Sequence, residues 1–331
     1  MQNIWGDFMK EIKVEDSVGQ ILCHDITQIV RGVVKDAKFR KGHVITAEDI
    51  PELLKLGKEN IFVWENDETK LHENDAAEIL RAICQGENLT ASDVKEGKIE
   101  LKAACDGVFH VDADKLHAIN AVEEICIATV QNHIPIRAGK SVSGMRVIPL
   151  VIDKAKMERV KKIAGEVPLM KVLPYKKFKV GLIVTGSEIF YNRIEDTFTP
   201  VIEAKLKRFG LNVDECRISN DSKEMTHEKI SELLDLGCEM ILCTGGMSVD
   251  PDDRTPAAII STGADVVTYG VPVLPGAMFM LAYKGDVPIM GLPGCVMFCS
   301  KTVFDMILPR VLTGERLTRK DFTTLGVGGL L

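Results

Sequence analysis

Three apolar runs in the second half of the chain restrict its fold more than any other feature: "KVGLIVTG", "CEMILCTGG" and "VPIMGLPG". Each is a nearly unbroken stretch of strand-forming residues that stops on glycine. A strand with one face in water alternates polar and apolar side chains, whereas an unbroken run suits a strand buried on both faces of a parallel sheet. Helix-length segments lie between and after these runs: "PVIEAKLKRFG", "KEMTHEKISELLDLG", "DDRTPAAIISTG" and "VMFCSKTVFDMILPRVLTG". Parallel strands need crossover connections, so this alternation implies an α/β domain with a doubly wound, mostly parallel sheet. We place it at residues 177–318, followed by a tail at 319–331.

Smaller α+β and β-rich domains are expected before it. Residues 1–70 contain a strand ending near His24, a turn at Lys41-Gly42 and a strand over 43–46. A helix follows from residues 47–49 to Gly57, with acids in its first turn and glycine after its last, and then the strand "NIFVW". Residues 71–176 open with a helix and continue as short strands separated by "DG", "AGK" and "SG" turns, the texture of a small β-rich domain. The charged segment "DKAKMERVKKIAGE" reads as a helical connector.

Bulk properties exclude some partners. With 48 acids against 41 bases the formal net charge is −7, which argues against sequence-independent nucleic-acid binding. The longest uncharged run, residues 266–283, is interrupted by Gly270, Pro272, Pro275 and Gly276, so it reads as short strands and turns rather than a membrane span. The N-terminus shows no cationic start before an apolar core. The nine cysteines are scattered, without a C-x-x-C. Reduced thiols in a cytoplasmic protein are therefore expected. The seven histidines show no zinc-ligand spacing.

Ligands of open α/β sheets bind at the carboxyl ends of the strands. Three such ends carry glycine here: Thr185-Gly186-Ser187-Glu188, Thr244-Gly245-Gly246-Met247-Ser248, and the Pro293-Gly294-Cys295 turn. Glycine lets the backbone approach a ligand and take positive φ, and amides exposed there favour a phosphate. One glycine turn is only a tight turn; three at one edge describe an anion site. Acids crowd the same place, with Asp250, Asp252 and Asp253 after the second loop and Asp221 after another strand. Carboxylates beside a phosphate repel it unless a hard cation intervenes, and Mg²⁺ takes one or two carboxylates plus phosphate oxygens. Either Asp252 or Asp253 is expected to cap the helix that starts near Pro256. Cys295 is placed at a helix N-terminus, where a thiolate able to touch a metal or a cofactor sulfur is favoured; a packing role is the reading expected first.

"TGSE", "TGGMSV" and "GLPG", in this order over about residues 177–316, resemble the molybdopterin-binding domain of the enzymes of late molybdenum-cofactor assembly. Ser248 and Val249 after the two glycines are similar to the molybdopterin molybdenumtransferase branch, which includes the gephyrin E domain; "GQILCHDI" and "FRKGHVITAEDIPELLKLG" also resemble its N-terminal region. The resemblance implies binding of molybdopterin or its adenylylated form, cleavage of the adenylate with Mg²⁺, and insertion of molybdate. It assigns cofactor binding to Thr185, Gly186, Ser187, Glu188, Thr244, Gly245, Gly246, Met247, Ser248, Pro275, Gly276, Pro293, Gly294 and Cys295. Asp221, Asp250 and Asp253 become catalytic, and the same three with Asp252 hold metal. It further implies a homodimer, with molybdoenzymes or cofactor-assembly proteins as partners.

Several positions depart from that pattern. The S-A-M-D-G-Y-A segment of the branch has no counterpart, and "RGVVKDAKFRKGH" stands in its place. The P-G-K-P loop becomes Pro275-Gly276-Ala277-Met278, losing a cation, and G-L-P-G-N-P becomes Gly291-Leu292-Pro293-Gly294-Cys295-Val296. The C-terminal β-barrel is not expected after the last helix. Two alternatives therefore stay open: a non-catalytic molybdopterin carrier or sensor, and an adenylyltransferase, whose R-D-x-T-P stretch "DDRTP" resembles.

Overall fold

The computed structural model describes residues 9–30, 34–64, 69–251 and 253–330. The chain divides into two compact units. The first comprises residues 1–105, 109–132 and 136–172, and the second residues 106–108, 133–135 and 173–331.

In the first unit, the strands Met9–Lys13 and Asn60–Trp64 pair antiparallel, and Ile26–Val30 pairs with Val34–Phe39. The helix Asp49–Lys55 packs Leu53 into a small core with Val14, Leu22, Ile26, Ile45 and Ile61. Gly57, two residues past the helix, has φ +75°, the left-handed turn that sequence expects after a helix. The expected strand over 43–46 is reduced to a single bridge between Ile21 and Val44. A four-stranded antiparallel sheet follows in the order Leu89–Ala91, Ile99–Ala103, Ser141–Val147, Ile125–Thr129. Alternate residues of Ile99–Ala103 and Ile125–Thr129 are buried. They share one core with the helices Glu73–Cys84, Ala113–Asn120 and Lys154–Ala164. Met157, Val160 and Ala164 are fully buried there, so the segment read as a connector is a core helix with a charged outer face.

The second unit is built on six strands: β1 (Val180–Thr185), β2 (Glu215–Ser219), β3 (Met240–Thr244), β4 (Asp265–Tyr269), β5 (Met280–Lys284) and β6 (Val287–Leu292). Their order is β2-β1-β3-β6-β5-β4. The first three pairings are parallel; β5 runs antiparallel to both β6 and β4. The sheet is covered by the helices α1 (Phe198–Lys207), α2 (Lys223–Asp235), α3 (Thr255–Ser261), α4 (Val303–Leu312) and α5 (Arg319–Thr323).

Strand periodicity divides the interior into two layers. Leu182, Val184, Leu242, Met290 and Leu292 face α1, α4 and α5. Ile183, Ile241, Cys243 and Ile289 face α2 and α3. The unbroken apolar strands of the sequence are thus buried on both faces, and the unit is the doubly wound α/β fold expected of it. Among the described residues, no helix is long and apolar enough to cross a membrane, and residues 266–283 form β4, a loop and most of β5.

One helix begins later than its sequence suggests. After β6 the chain makes only a short 3-10 turn, Gly294–Met297. α4 starts at Val303, where Thr302 and Asp305 form a reciprocal capping box. Lys205 of α1 grips the same Asp305 with both carboxylate oxygens, at 2.7 and 2.8 Å. The buried ion pair and the cap together fix where α4 begins.

Candidate functional site

Because β1, β2, β3 and β6 run in one direction, their carboxyl ends share one edge of the sheet. That edge carries all three glycine loops and Asp221. β4 points the same way, so the Pro275-Gly276 loop leaves from the same edge. β2 and β3 flank β1 on opposite sides, so the crossovers diverge from β1, the position where open α/β sheets bind ligands.

The loop after β3 has a defined polarity. Gly245 and Gly246 take φ of +83° and +58°, which side chains rarely adopt. A Cβ on Gly245 would stand 2.7 Å from the carbonyl oxygen of Thr185, and one on Gly246 would stand 2.7 Å from Oγ1 of Thr255. Five successive carbonyls of this loop accept hydrogen bonds from the protein. Thr185 Oγ1 donates to the Thr244 carbonyl at 2.8 Å. Thr255 donates through Oγ1 to Gly245 at 2.9 Å and through its amide to Gly246 at 3.1 Å. The hydroxyl of Tyr269 donates to Met247 at 3.1 Å, with the Ser248 carbonyl at 3.4 Å. Among the described residues, the amides of Gly246, Met247 and Ser248 donate to no protein acceptor. With carbonyls held and amides left over, the loop is a concentration of positive partial charge, suited to an anion.

The assigned residues fall into distinct roles. Thr185 and Thr244 are buried, and the Thr185 hydroxyl is consumed inside the loop. Met247 contributes only its backbone to the edge. Its side chain is 3% exposed and lies over Gly291 of β6, where a Cβ would come within 2.5 Å of its sulfur. Ser248 is exposed. After β1, Gly186 is buried with φ +147°, and the Ser187 amide donates to Oδ2 of Asp221 at 2.9 Å. Glu188 is exposed, with its carboxylate folded back over Gly186. In the loop before β5, Gly276 takes φ +117° and a Cβ would meet Val303 at 2.9 Å, so Pro275-Gly276 is pressed against the start of α4. Gly294 is open, with nothing within 4 Å of a Cβ position.

The acids sit differently from expectation. Asp253 does not cap α3, whose N-cap is Arg254, without a side-chain cap. The Asp253 carboxylate turns back instead to accept the Asp250 amide at 3.0 Å. The sequence places Pro at the start of this helix, and the structure has it in the first turn. Asp252 lies outside the described residues. Among the described residues, no three His, Cys, Asp or Glu side chains gather as a metal-holding group. What remains is hard oxygen donors beside a loop of unpartnered amides, a set suited to a cation that takes one or two carboxylates and completes its shell from a ligand.

At Cys295 the structure disfavours a thiolate. Burial pushes its thiol up, and the neighbouring Cys299 adds to that. A four-residue 3-10 turn has too few aligned peptides to stabilise a thiolate. None of the nine cysteines forms a disulfide.

Tyr269 was missed in the sequence because it lies more than twenty residues from the loop it holds. The threonine of "DDRTP", Thr255, carried a signal, but the acids beside it drew the functional reading.

Residues 181–313 match the family model described as "Probable molybdopterin binding domain", and residues 11–65 match "Domain of unknown function (DUF8806)". Within the α/β unit, residues 181–313 are thus similar to the molybdopterin-binding domains that this family model describes. Over 131 residues the chain is 28% identical to a molybdopterin molybdenumtransferase of Staphylococcus epidermidis, covering 38% of this chain and 31% of that protein. A molybdopterin molybdenumtransferase of Synechococcus elongatus is 26% identical over 140 residues, 39% of this chain and 34% of that one. The match thus spans about a third of the length of these relatives. A solved MoaB from Thermus thermophilus is 21% identical, with a TM-score of 0.34 over 42% of this chain and 98% of its own. A molybdopterin biosynthesis MoeA protein from Pyrococcus horikosii is 14% identical, with a TM-score of 0.35 over 92% of this chain and 74% of that one.

Proposed function

We propose that the α/β unit binds molybdopterin, in its adenylylated form, at the carboxyl edge of its sheet, and that the protein inserts molybdate into the dithiolene with release of AMP. One observation carries the binding step: the loop after β3 holds its carbonyls and leaves three successive amides for a phosphate, at the point where the crossovers diverge. The relatives named molybdopterin molybdenumtransferase support the choice of ligand and reaction.

In this reading Gly246, Met247 and Ser248 receive the phosphate through their amides, Gly245 gives the loop its turn, and Thr185 and Thr244 keep that backbone in place. Ser187, Glu188, Pro275, Gly276 and the open Gly294 line the remainder of the edge. Asp221, Asp250 and Asp253, with Asp252, supply carboxylate oxygens for Mg²⁺, which when bound would neutralise phosphate charge. Molybdate is the second substrate. The free thiols suit a reduced, cytoplasmic compartment.

A carrier is the second reading, favoured by two local features. Ala277 stands where a cation would face the anion, and the Ser187 amide is already taken by Asp221.

The deciding experiment supplies adenylylated molybdopterin and Mg²⁺ to the full chain and follows AMP with and without molybdate. Molybdate-dependent release supports insertion. Binding without release makes the protein a carrier, and no binding removes both readings.

A further inference from the structure

We infer that Tyr269 is a positioning residue which fixes the facing of the Met247 and Ser248 peptides, and through them the affinity of the loop for phosphate; this rests on the binding site proposed above. The sheet order is β3-β6-β5-β4 on this side, so the loop that leaves β3 meets a residue three strands away. At the usual strand spacing that is about 14 Å. The loop therefore crosses the end of β6 before it reaches Tyr269.

Its attachment points can be followed residue by residue. At the near end, Thr255 holds the carbonyls of Gly245 and Gly246. In the middle, the Met247 side chain is seated over Gly291, the one place on β6 where the missing Cβ makes room for it. At the far end, the Tyr269 hydroxyl holds the carbonyls of Met247 and Ser248. Among the described residues these two carbonyls have no other donor. The next residue, Val249, is 83% exposed and offers no anchor of its own.

Fixing a carbonyl also fixes the amide on the other side of the same peptide plane. With the Met247 carbonyl held by Tyr269, the amide of Ser248 faces away from it. Release that carbonyl and the peptide is free to rotate, bringing a partial negative charge to the place reserved for phosphate oxygens. Partial burial raises the hydroxyl of Tyr269, a residue 40% exposed, above its ordinary range, with Asp253 adding to it, so the phenol stays protonated and able to donate at neutral pH.

The test is Tyr269→Phe, which keeps the ring and removes the donor. Amide shifts of residues 246–249 would be read on the labelled, ligand-free full chain, followed by titration with inorganic pyrophosphate. We expect shifted Ser248 and Val249 amides and pyrophosphate binding weakened about five- to tenfold, the scale of one net hydrogen bond. The thermal midpoint should fall by no more than about 4 °C. A purely structural role would lower the midpoint and leave the pyrophosphate affinity of the folded protein alone, and that result overturns the inference. So do unchanged amides, or a wild-type chain that does not bind pyrophosphate. A wild-type chain that binds pyrophosphate but not molybdopterin would instead remove the proposed function and leave the role of Tyr269 standing.

Discussion

Thr255 reaches back along the chain to hold Gly245, its hydroxyl donating to the glycine carbonyl at 2.9 Å while its own amide holds the carbonyl of Gly246 at 3.1 Å. The first residue of α3 thereby serves the loop of β3, and the helix and the candidate anion site are one hydrogen-bonded piece. Thr255 is 3% exposed, so water does not replace a lost bond. Thr255→Val, similar in shape and without the donor, should destabilise the chain by about 1–3 kcal/mol, the cost of a buried unsatisfied carbonyl. Urea unfolding of both proteins measures it, and a difference near zero would show that the hydroxyl is not holding the loop.

Gly291 and Met247 make a steric prediction. A Cβ at Gly291 would sit 2.5 Å from both Sδ and Cε of Met247 and 3.3 Å from Cβ of Met280. Gly291→Ala should cost about 1–3 kcal/mol by overpacking and should weaken ligand binding, because the displaced Met247 carries the loop with it. Met247→Ala in the same chain removes the clash. A double-mutant cycle should therefore show the pair to be less destabilised than the sum of the single changes; additive values would place Met247 elsewhere.

The Lys205–Asp305 pair is a buried commitment of charge. Their side chains are only 10% and 7% exposed, and Asp305 also closes the capping box of α4. Lys205→Met leaves that carboxylate with the more distant Arg208, at 3.5 Å. A loss of about 3–5 kcal/mol is expected, as for a buried pair with one partner removed, and thermal or urea unfolding reads it directly.

Acid stability should carry a signature of Asp321. Burial pushes its carboxyl up, but hydrogen bonds from Arg310 and Thr318 and the charge of Arg310 more than reverse this and hold it at about 2. A carboxyl depressed in the folded state stabilises fully above its unfolded value of 3.8. That contribution is lost as the pH falls from about 4 through about 2. The group is partly exposed, so solvent screening reduces the gain to about 1 kcal/mol. Asp321→Asn should lower stability at neutral pH and flatten its decline between pH 4 and 2. An unchanged slope in that window would contradict the assignment.

Much of the α/β unit was legible because its determinants are local. Unbroken apolar strands, glycine at their ends and helix-length segments between them imply a parallel sheet and a shared carboxyl edge, and the sheet order agrees. The hairpin Ile26–Val30 with Val34–Phe39 was not read, since its strands mix lysine and aspartate with apolar residues and show little alternation. The helix Ala113–Asn120 was also missed, although Asp112 caps it by accepting the Lys115 amide. Its moderate apolar pattern was absorbed into the surrounding strands. The start of α4 depends on Lys205, a hundred residues away, which no local pattern reveals. The same holds for the site. Glycines announce where backbone can approach a ligand, but the residues that orient that backbone, Thr185, Thr255 and Tyr269, meet it only through the fold.

The most direct test of the central claim is calorimetric titration of molybdopterin into the full chain, beside the same titration of Gly246→Ala. A Cβ there would have to tolerate φ +58° and a contact of 2.7 Å with Thr255 Oγ1, which turns the loop amides away from their present direction. The account predicts saturable one-site binding to the wild-type chain and a loss of at least about tenfold in the variant, with the rest of the fold intact by circular dichroism. Equal affinity in the two proteins would contradict it and place the pterin somewhere other than the carboxyl edge of the sheet.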